Sequence, residues 1–215
     1  MSQINADQAE NTLRERLCRL GASLFQRGYT HGSTGNLSVR TASGYLMTPT
    51  GSSLGELDPA RLSRLDARGR HVDGDKPTKE HFLHQAMYDE RPGSGAVIHL
   101  HATYSTAVSV LADVDPANVL PPLTAYYVMR IGTLPLVPYF APGDLALADA
   151  VRGFAGRHHA VLLANHGPVV AGSSLAAAGD AIEELEATAR LHLSLHGMKC
   201  RCLTDEQVDE LKQRF

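Results

Sequence analysis

Residues 96–102 read AVIHLHA, a short apolar run that ends in two histidines two positions apart. The length and composition of the run predict a buried β-strand. Side chains i and i+2 of a strand project from the same face, so His99 and His101 would lie side by side. Two neighbouring imidazoles are a common way to hold zinc. An isolated H-x-H motif is also compatible with two histidines at a polar strand edge, and that alternative stays open at this point.

Helical and extended patterns alternate on both sides of this strand. A first helix carries Leu13, Leu17, Leu20 and Leu24 on one face and ends near Gly28. Asp58-Pro59 predicts a second helix start. The other predicted helices cover residues 78–90, 104–112, 144–156, 174–196 and 204–214. The predicted strands cover residues 37–40, 45–50, 133–139, 159–165 and 168–172, and the first two form a hairpin. This irregular alternation predicts an α/β fold: one three-layer α/β/α domain over residues 1–215, built around a mixed or antiparallel central sheet.

The composition is that of an ordinary globular protein of 215 residues with a formal net charge of −3. That charge gives no electrostatic reason to expect a nucleic acid or an anionic membrane as partner. We expect no membrane span, because no apolar stretch approaches the roughly 18 residues that a span requires. We expect no signal peptide either, because the N-terminus lacks a basic start and an apolar run. Three cysteines without a paired spacing predict free thiols in a reducing cytoplasm.

Two further residues extend the histidine pair into a candidate metal site. Glu80 begins the helix that precedes the histidine-bearing strand, where a carboxylate can bind a metal or act as a base. His166 follows the apolar strand AVLLAN on a tight turn, from which its side chain can enter a site. Taken singly, Glu80 is also explained as a surface glutamate that offsets the helix dipole, and His166 as a loop histidine. The other histidines that we weighed fit no ligand spacing and are predicted to serve the surface or the packing: His81, His84, His158, His159, His192 and His196.

Three segments of small residues suit an oxyanion such as phosphate. They are Ser33-Thr34-Gly35-Asn36, Thr48-Pro49-Thr50-Gly51 and Pro77-Thr78-Lys79. Glycine lets the backbone approach a ligand closely, and backbone N–H groups at a helix start or in a turn can point at an anion. Each segment alone is equally compatible with an ordinary turn.

The order of these motifs is more specific than any one of them. GNLSVR, TPTG, an acidic helix start, H-x-H and H-G follow one another in the sequence. This order resembles the class II aldolase/adducin superfamily, and the resemblance covers roughly residues 10–196. The resemblance implies Glu80 as acid/base and as a metal ligand, and His99, His101 and His166 as ligands of Zn²⁺ or another divalent metal. It implies phosphate-binding roles for six residues: Gly35, Asn36, Thr50, Gly51, Thr78 and Lys79. It also implies a homotetramer with sites at subunit interfaces, with Tyr126 and Tyr127 as candidates for a tyrosine supplied by a neighbouring subunit.

The resemblance also carries an expected activity. GDKPTKE, LPPLTAYYVMR and LLANHGPVVAG look most like bacterial 3-oxo-tetronate 4-phosphate decarboxylases, which implies metal-dependent formation of dihydroxyacetone phosphate and carbon dioxide through an enediolate. A departure from the aldolases is the pair Thr78-Lys79, where they carry two serines. One alternative is an aldolase or epimerase acting on a phosphorylated ketose such as fuculose 1-phosphate or ribulose 5-phosphate. Another is a non-catalytic adducin-like interaction module, which the presence of all three histidines disfavours.

Overall fold

An eight-stranded sheet lies at the centre of the protein in this computed structural model, which describes residues 3–141 and 143–214. The strands are β1 (Asn36–Thr41), β2 (Gly44–Met47), β3 (Ser63–Asp66), β4 (His71–Asp73), β5 (Ala96–His99), β6 (Leu136–Val137), β7 (Ala160–Leu163) and β8 (Gly167–Gly172). Their order across the sheet is β4-β3-β2-β1-β5-β8-β7-β6. Only the β6–β7 pair is parallel among these strands, so the sheet is mixed, as predicted.

Helices cover both faces of this sheet. They are α1 (Gln3–Gln26), α2 (His81–Glu90), α3 (Thr103–Ser109), α4 (Ala125–Arg130), α5 (Ala146–Ala155), α6 (Leu175–Ser194) and α7 (Asp205–Arg214). Alternate side chains of a strand point to opposite faces. Leu37 and Val39 therefore pack with residues of α1, α3, α4 and α6, whereas Tyr45 and Met47 pack with residues of α2 and α5. These two apolar layers confirm the predicted three-layer α/β/α fold; the extent of the domain over residues 1–215 stays a prediction.

Two local predictions need correction. The helix predicted to start at Asp58-Pro59 is one 3-10 turn, Pro59–Arg61, in which the Asp58 carboxylate accepts a hydrogen bond from the Ala60 amide at 2.9 Å. The chain then forms β3 and β4, which were not predicted because SRLD and HVD contain one apolar residue each and so show no apolar pattern. The strand predicted over 133–139 shrinks to β6, since prolines flank its two residues and cannot donate to a sheet ladder.

The strand register brings separate segments to one end of the sheet. His99, the last residue of β5, lies opposite Asn36 of β1 and Val169 of β8. The other end carries a cavity of about 630 Å³ between the α2–β5 connection and the end of β8. No helix among the described residues has the length and hydropathy to cross a bilayer.

Candidate metal centre

His99 and His101 occupy different environments although two positions separate them. His99 ends β5 and is 0% exposed. His101 follows the strand and is only partly buried. The prediction of a pair side by side is therefore right about proximity, with ring centroids 5.0 Å apart, but only His99 lies within the strand.

A strained turn presents His166 to the same place. Asn165, directly before it, has a backbone φ of 57°, a left-handed conformation that asparagine adopts more readily than most residues. Gly167, directly after His166, starts β8. It lies so close to the neighbouring backbone that an added Cβ would be 2.2 Å from the Leu100 carbonyl oxygen. Thr106 donates a hydrogen bond from its hydroxyl to the His166 carbonyl at 2.9 Å. The turn thus needs glycine after the histidine, and the H-G pair is explained by packing as well as chemistry.

Glu80 occupies the N-cap position of α2, but its carboxylate does not cap the helix. Its oxygens instead lie 3.2 Å from His166 Nε2 and 3.5 Å from His99 Nε2. The carboxylate also accepts a hydrogen bond from Asn36 Nδ2 at 2.8 Å. The helix start therefore delivers a negative charge into the histidine cluster.

The donor atoms of these four residues converge. His166 Nε2 lies 3.0 Å from His101 Nε2 and 3.3 Å from His99 Nε2. One ligand atom from each of Glu80, His99, His101 and His166 lies within 4.8 Å of all the others. His99 donates its Nδ1 hydrogen to the Pro168 carbonyl at 2.9 Å, which leaves the Nε2 lone pair directed at the cluster. Three imidazoles and one carboxylate fit a divalent metal of zinc-like preference.

Burial and mutual contact set the charge of this cluster. Burial lowers the pKa of His99, and it lowers the pKa of His101 to about 4. Neutral imidazoles are the form that binds a metal. Burial alone would raise the pKa of Glu80, but the adjacent imidazoles and the Asn36 hydrogen bond outweigh it and hold that pKa below its ordinary value. His99 and His101 therefore offer neutral nitrogen donors, and Glu80 offers an ionised carboxylate, at neutral pH.

The predicted phosphate segments lie next to one another in the fold and are linked by hydrogen bonds of their backbones. The Thr50 amide donates to the Lys76 carbonyl at 2.9 Å, and the Thr78 amide donates to the Thr48 carbonyl at 3.2 Å. Leu37, the residue after the segment Ser33-Thr34-Gly35-Asn36, donates its amide hydrogen to the Thr48 hydroxyl at 3.1 Å. Gly35 has φ 78° and little room for a side chain, since a Cβ would lie 3.1 Å from the His99 carbonyl oxygen.

The side chains of these segments divide between two places. Thr50 and Gly51 line a cavity of about 280 Å³, separate from the one at the metal centre. Asn36 and Thr78 are buried, at 4% and 7% exposure, and Lys79 is exposed. The Asn36 side chain is engaged with Glu80. The phosphate role of the six residues stays a prediction.

The cavity at the metal centre measures about 620 Å³. Its lining includes His31, Thr103, Tyr139 and Phe140 beside three of the cluster residues. Of the two tyrosines considered for a neighbouring subunit, Tyr127 is 0% exposed and Tyr126 is 62% exposed, so only Tyr126 lies where a second subunit could meet it.

His84 was assigned to surface or packing, and the structure shows it buried and linked to the centre. It is 0% exposed, and its ring contacts the Asn36 side chain that holds Glu80. Its spacing of four residues from Glu80 was the available signal, because residues i and i+4 share one face of a helix. Sequence could not supply the partner, which lies on a distant strand.

Residues 15–193 match the model of a known family, described as Class II Aldolase and Adducin N-terminal domain. The chain belongs to this class II aldolase family. A 3-oxo-tetronate 4-phosphate decarboxylase from Escherichia coli K12 is 50% identical over 206 residues, which is 95% of this chain and 97% of the relative. An L-fuculose phosphate aldolase from the same strain is 30% identical over 209 residues, covering 95% and 94% of the two chains. The solved structure of YgbL from Escherichia coli superposes with a TM-score of 0.93 at 49% identity, covering 95% of this class II aldolase chain and 99% of YgbL.

Proposed function

We propose that this protein decarboxylates 3-oxo-tetronate 4-phosphate to dihydroxyacetone phosphate and carbon dioxide. The proposal is carried by the four-residue cluster at the end of the sheet, together with 50% identity over nearly the whole length to a relative of that name. The identity extends over 97% of the relative, so this chain contains the counterpart of almost its entire length.

The substrate holds its carboxylate β to a ketone. When the bond between the carboxylate carbon and C2 breaks, its electron pair must move towards the C3 ketone oxygen. A divalent metal, when bound, supplies a Lewis acid that stabilises negative charge on such an oxygen. Glu80, His99, His101 and His166 are the residues that would hold it.

Glu80 has the position and the charge for proton transfer. Its pKa lies below the ordinary value, so the carboxylate is ionised at neutral pH and is free to accept the proton of the C2 hydroxyl first. It then becomes the acid that returns this proton to C2, after which solvent restores the hydroxyl proton. One proton is consumed overall, as decarboxylation requires, and Glu80 ends as the carboxylate from which it began.

The finer features of the site belong to the same proposal. Zinc is the metal that we expect, because three imidazoles with one carboxylate suit its borderline-soft character. Gly35, Asn36, Thr50, Gly51, Thr78 and Lys79 are proposed to bind the phosphorylated substrate. Lys79, exposed beside Glu80 in the chain, offers an ammonium group for the carboxylate or the phosphate. We further propose a homotetramer in the cytoplasm, with Tyr126 facing a neighbouring subunit.

A product assay tests the activity. Purified, zinc-loaded protein is incubated with 3-oxo-tetronate 4-phosphate and, separately, with fuculose 1-phosphate, and carbon dioxide, dihydroxyacetone phosphate and aldehyde are measured. We expect the first two products from the oxo acid and no aldehyde from fuculose 1-phosphate. Aldehyde release without carbon dioxide release would refute the decarboxylase proposal in favour of the aldolase.

The aldolase is the second candidate because the same cluster can serve it. Cleavage of a different carbon–carbon bond in a phosphorylated ketose leaves the same kind of charge on a ketone oxygen, and the fuculose phosphate aldolase is 30% identical over most of both chains. The gap between 50% and 30% identity at similar coverage favours the decarboxylase.

A further inference from the structure

A chain of side-chain hydrogen bonds runs from the metal centre into the interior. Asn36 Nδ2 lies 2.8 Å from the Glu80 carboxylate, and Asn36 Oδ1 lies 2.5 Å from His84 Nε2. His84 Nδ1 lies 2.7 Å from Ser38 Oγ, which in turn lies 2.9 Å from the Tyr88 hydroxyl. Asn36, Ser38, His84 and Tyr88 are each at most 4% exposed, so this chain is sealed from solvent.

Two regular elements align the five residues. Glu80, His84 and Tyr88 recur every four residues and therefore share one face of α2. Asn36 and Ser38 are two residues apart in β1 and therefore project from one face of the sheet. The polar stripe of the helix lies directly against that of the strand, in a layer otherwise packed with apolar side chains.

The direction of every hydrogen bond follows from two facts: the Glu80 carboxylate is ionised and the His84 ring is neutral. An ionised carboxylate only accepts hydrogen bonds, so the Asn36 amide nitrogen faces Glu80 and the Asn36 oxygen faces His84. That oxygen can only accept, so the hydrogen of a neutral His84 ring is on Nε2. Nδ1 is then an acceptor, the Ser38 hydroxyl donates to it, and the Tyr88 hydroxyl donates to Ser38. Burial lowers the pKa of His84 to about 3, which agrees with a neutral ring.

We propose that His84 is a positioning residue, which holds the Glu80 carboxylate in place through Asn36 and is itself held in one tautomer by Ser38. The Asn36 side-chain amide does not pass protons on at catalytic rates, so this series of hydrogen bonds orients Glu80 rather than supplying protons to it. Orientation matters because a donor fixed behind a metal-binding carboxylate typically changes metal affinity or activity by about 10–100-fold. The inference rests on the role proposed for Glu80, but not on the identity of the substrate.

The first test needs neither metal nor substrate. Metal-stripped protein labelled with ¹⁵N-histidine is studied by long-range ¹H–¹⁵N NMR at pH 7, and the His84 signals are assigned by their loss in His84→Gln. We expect a neutral ring with the hydrogen on Nε2. In Ser38→Ala, which removes the donor to Nδ1, the ring should no longer be fixed in that tautomer. A hydrogen on Nδ1, or a protonated ring, in the wild type would overturn the proposal.

The second test measures zinc affinity by competition with a chromophoric chelator, on variants whose folding is checked by circular dichroism. His84 acts one step behind Asn36, the direct partner of Glu80, so His84→Leu should weaken zinc binding by about 10-fold, the lower end of the range for a direct partner. His84→Gln should restore most of it, because a carboxamide N–H can replace the Nε2 donor. Tyr88→Phe removes only the last hydroxyl of the hydrogen-bonded series and serves as the matched control, with zinc affinity close to wild type.

Three results would decide against positioning. Equal weakening in His84→Leu and His84→Gln would show that the residue fills space, and unchanged affinity in His84→Leu would show that it does not act on Glu80. If His84→Leu does not fold, Ser38→Ala replaces it, with a smaller loss expected and no loss as the refuting result. Once turnover is measurable, kcat of His84→Leu should fall while KM stays unchanged. Failure of the decarboxylase proposal would leave the NMR and zinc results valid.

Discussion

The Glu80→Gln substitution removes the one negative charge from the candidate metal centre and nearly preserves the shape of the side chain. In the wild type, the carboxylate accepts a hydrogen bond from Asn36 at 2.8 Å and contacts His166 Nε2 at 3.2 Å. Glutamine can keep the first contact through its oxygen. It cannot accept the substrate proton or return it, and its amide group presents hydrogens where the metal-binding nitrogens converge.

The loss of general acid–base catalysis is typically worth about 10²–10⁴ in rate, or about 3–5.5 kcal/mol at 1.36 kcal/mol per factor of ten. Carbon dioxide and dihydroxyacetone phosphate are followed separately in zinc-loaded wild type and Glu80→Gln. In a single turnover with enzyme in excess, we expect dihydroxyacetone phosphate formation to lag behind carbon dioxide release, because proton return to C2 depends directly on Glu80. Glu90→Gln makes the same charge change at the exposed far end of α2 and is the control. Wild-type rates and metal content in Glu80→Gln would refute the proposed role.

Four further predictions address the metal, the pH response, the backbone and the substrate. Alanine in place of any one histidine of the metal centre should lower bound zinc, measured by atomic emission, whereas exposed His196→Ala should not; equal zinc in all variants would contradict the ligand assignment. The pKa of His84 is lowered to about 3 in the folded protein, against about 6.5 in the unfolded state. As the pH falls below about 6.5, His84 is therefore protonated in the unfolded state but not in the folded state. The free energy of unfolding of the metal-free protein should then fall by up to about 1.4 kcal/mol per pH unit from this group. His84→Gln should reduce this dependence of the free energy of unfolding on pH, measured by denaturant titration. Equal pH dependence in wild type and variant would refute the prediction. Gly35→Ala should destabilise the protein by about 1 kcal/mol or more, since φ is 78° and a Cβ meets the His99 carbonyl, and an unchanged melting temperature would count against this. Lys79→Ser should raise KM for the oxo acid more than it lowers kcat if the ammonium binds an anionic group, and unchanged kinetics would remove Lys79 from the site.

The amino-acid sequence sufficed for those parts of the fold that depend on local pattern. Long helices and buried strands show their apolar periodicity within a single segment, so the three-layer fold with a mixed sheet was predictable. β3 and β4 were not, because each contains one apolar residue among polar ones and is held in place by its neighbours in the sheet. The start at Asp58-Pro59 failed for a related reason, since a cap and a proline begin a helix but do not determine its length.

The candidate site divides in the same way. The residue types and their order along the chain named Glu80, His99, His101 and His166 together, and the structure brings their ligand atoms within 4.8 Å of one another. The link from His84 to Glu80 was hidden, because Asn36 lies 48 residues from His84 and meets it only once β1 pairs with β5 and α2 packs on the sheet. A sequence states which groups are available to bind a metal or donate a hydrogen. Which group supports which is decided by tertiary packing, because a buried donor must find its acceptor among whatever side chains the fold places beside it.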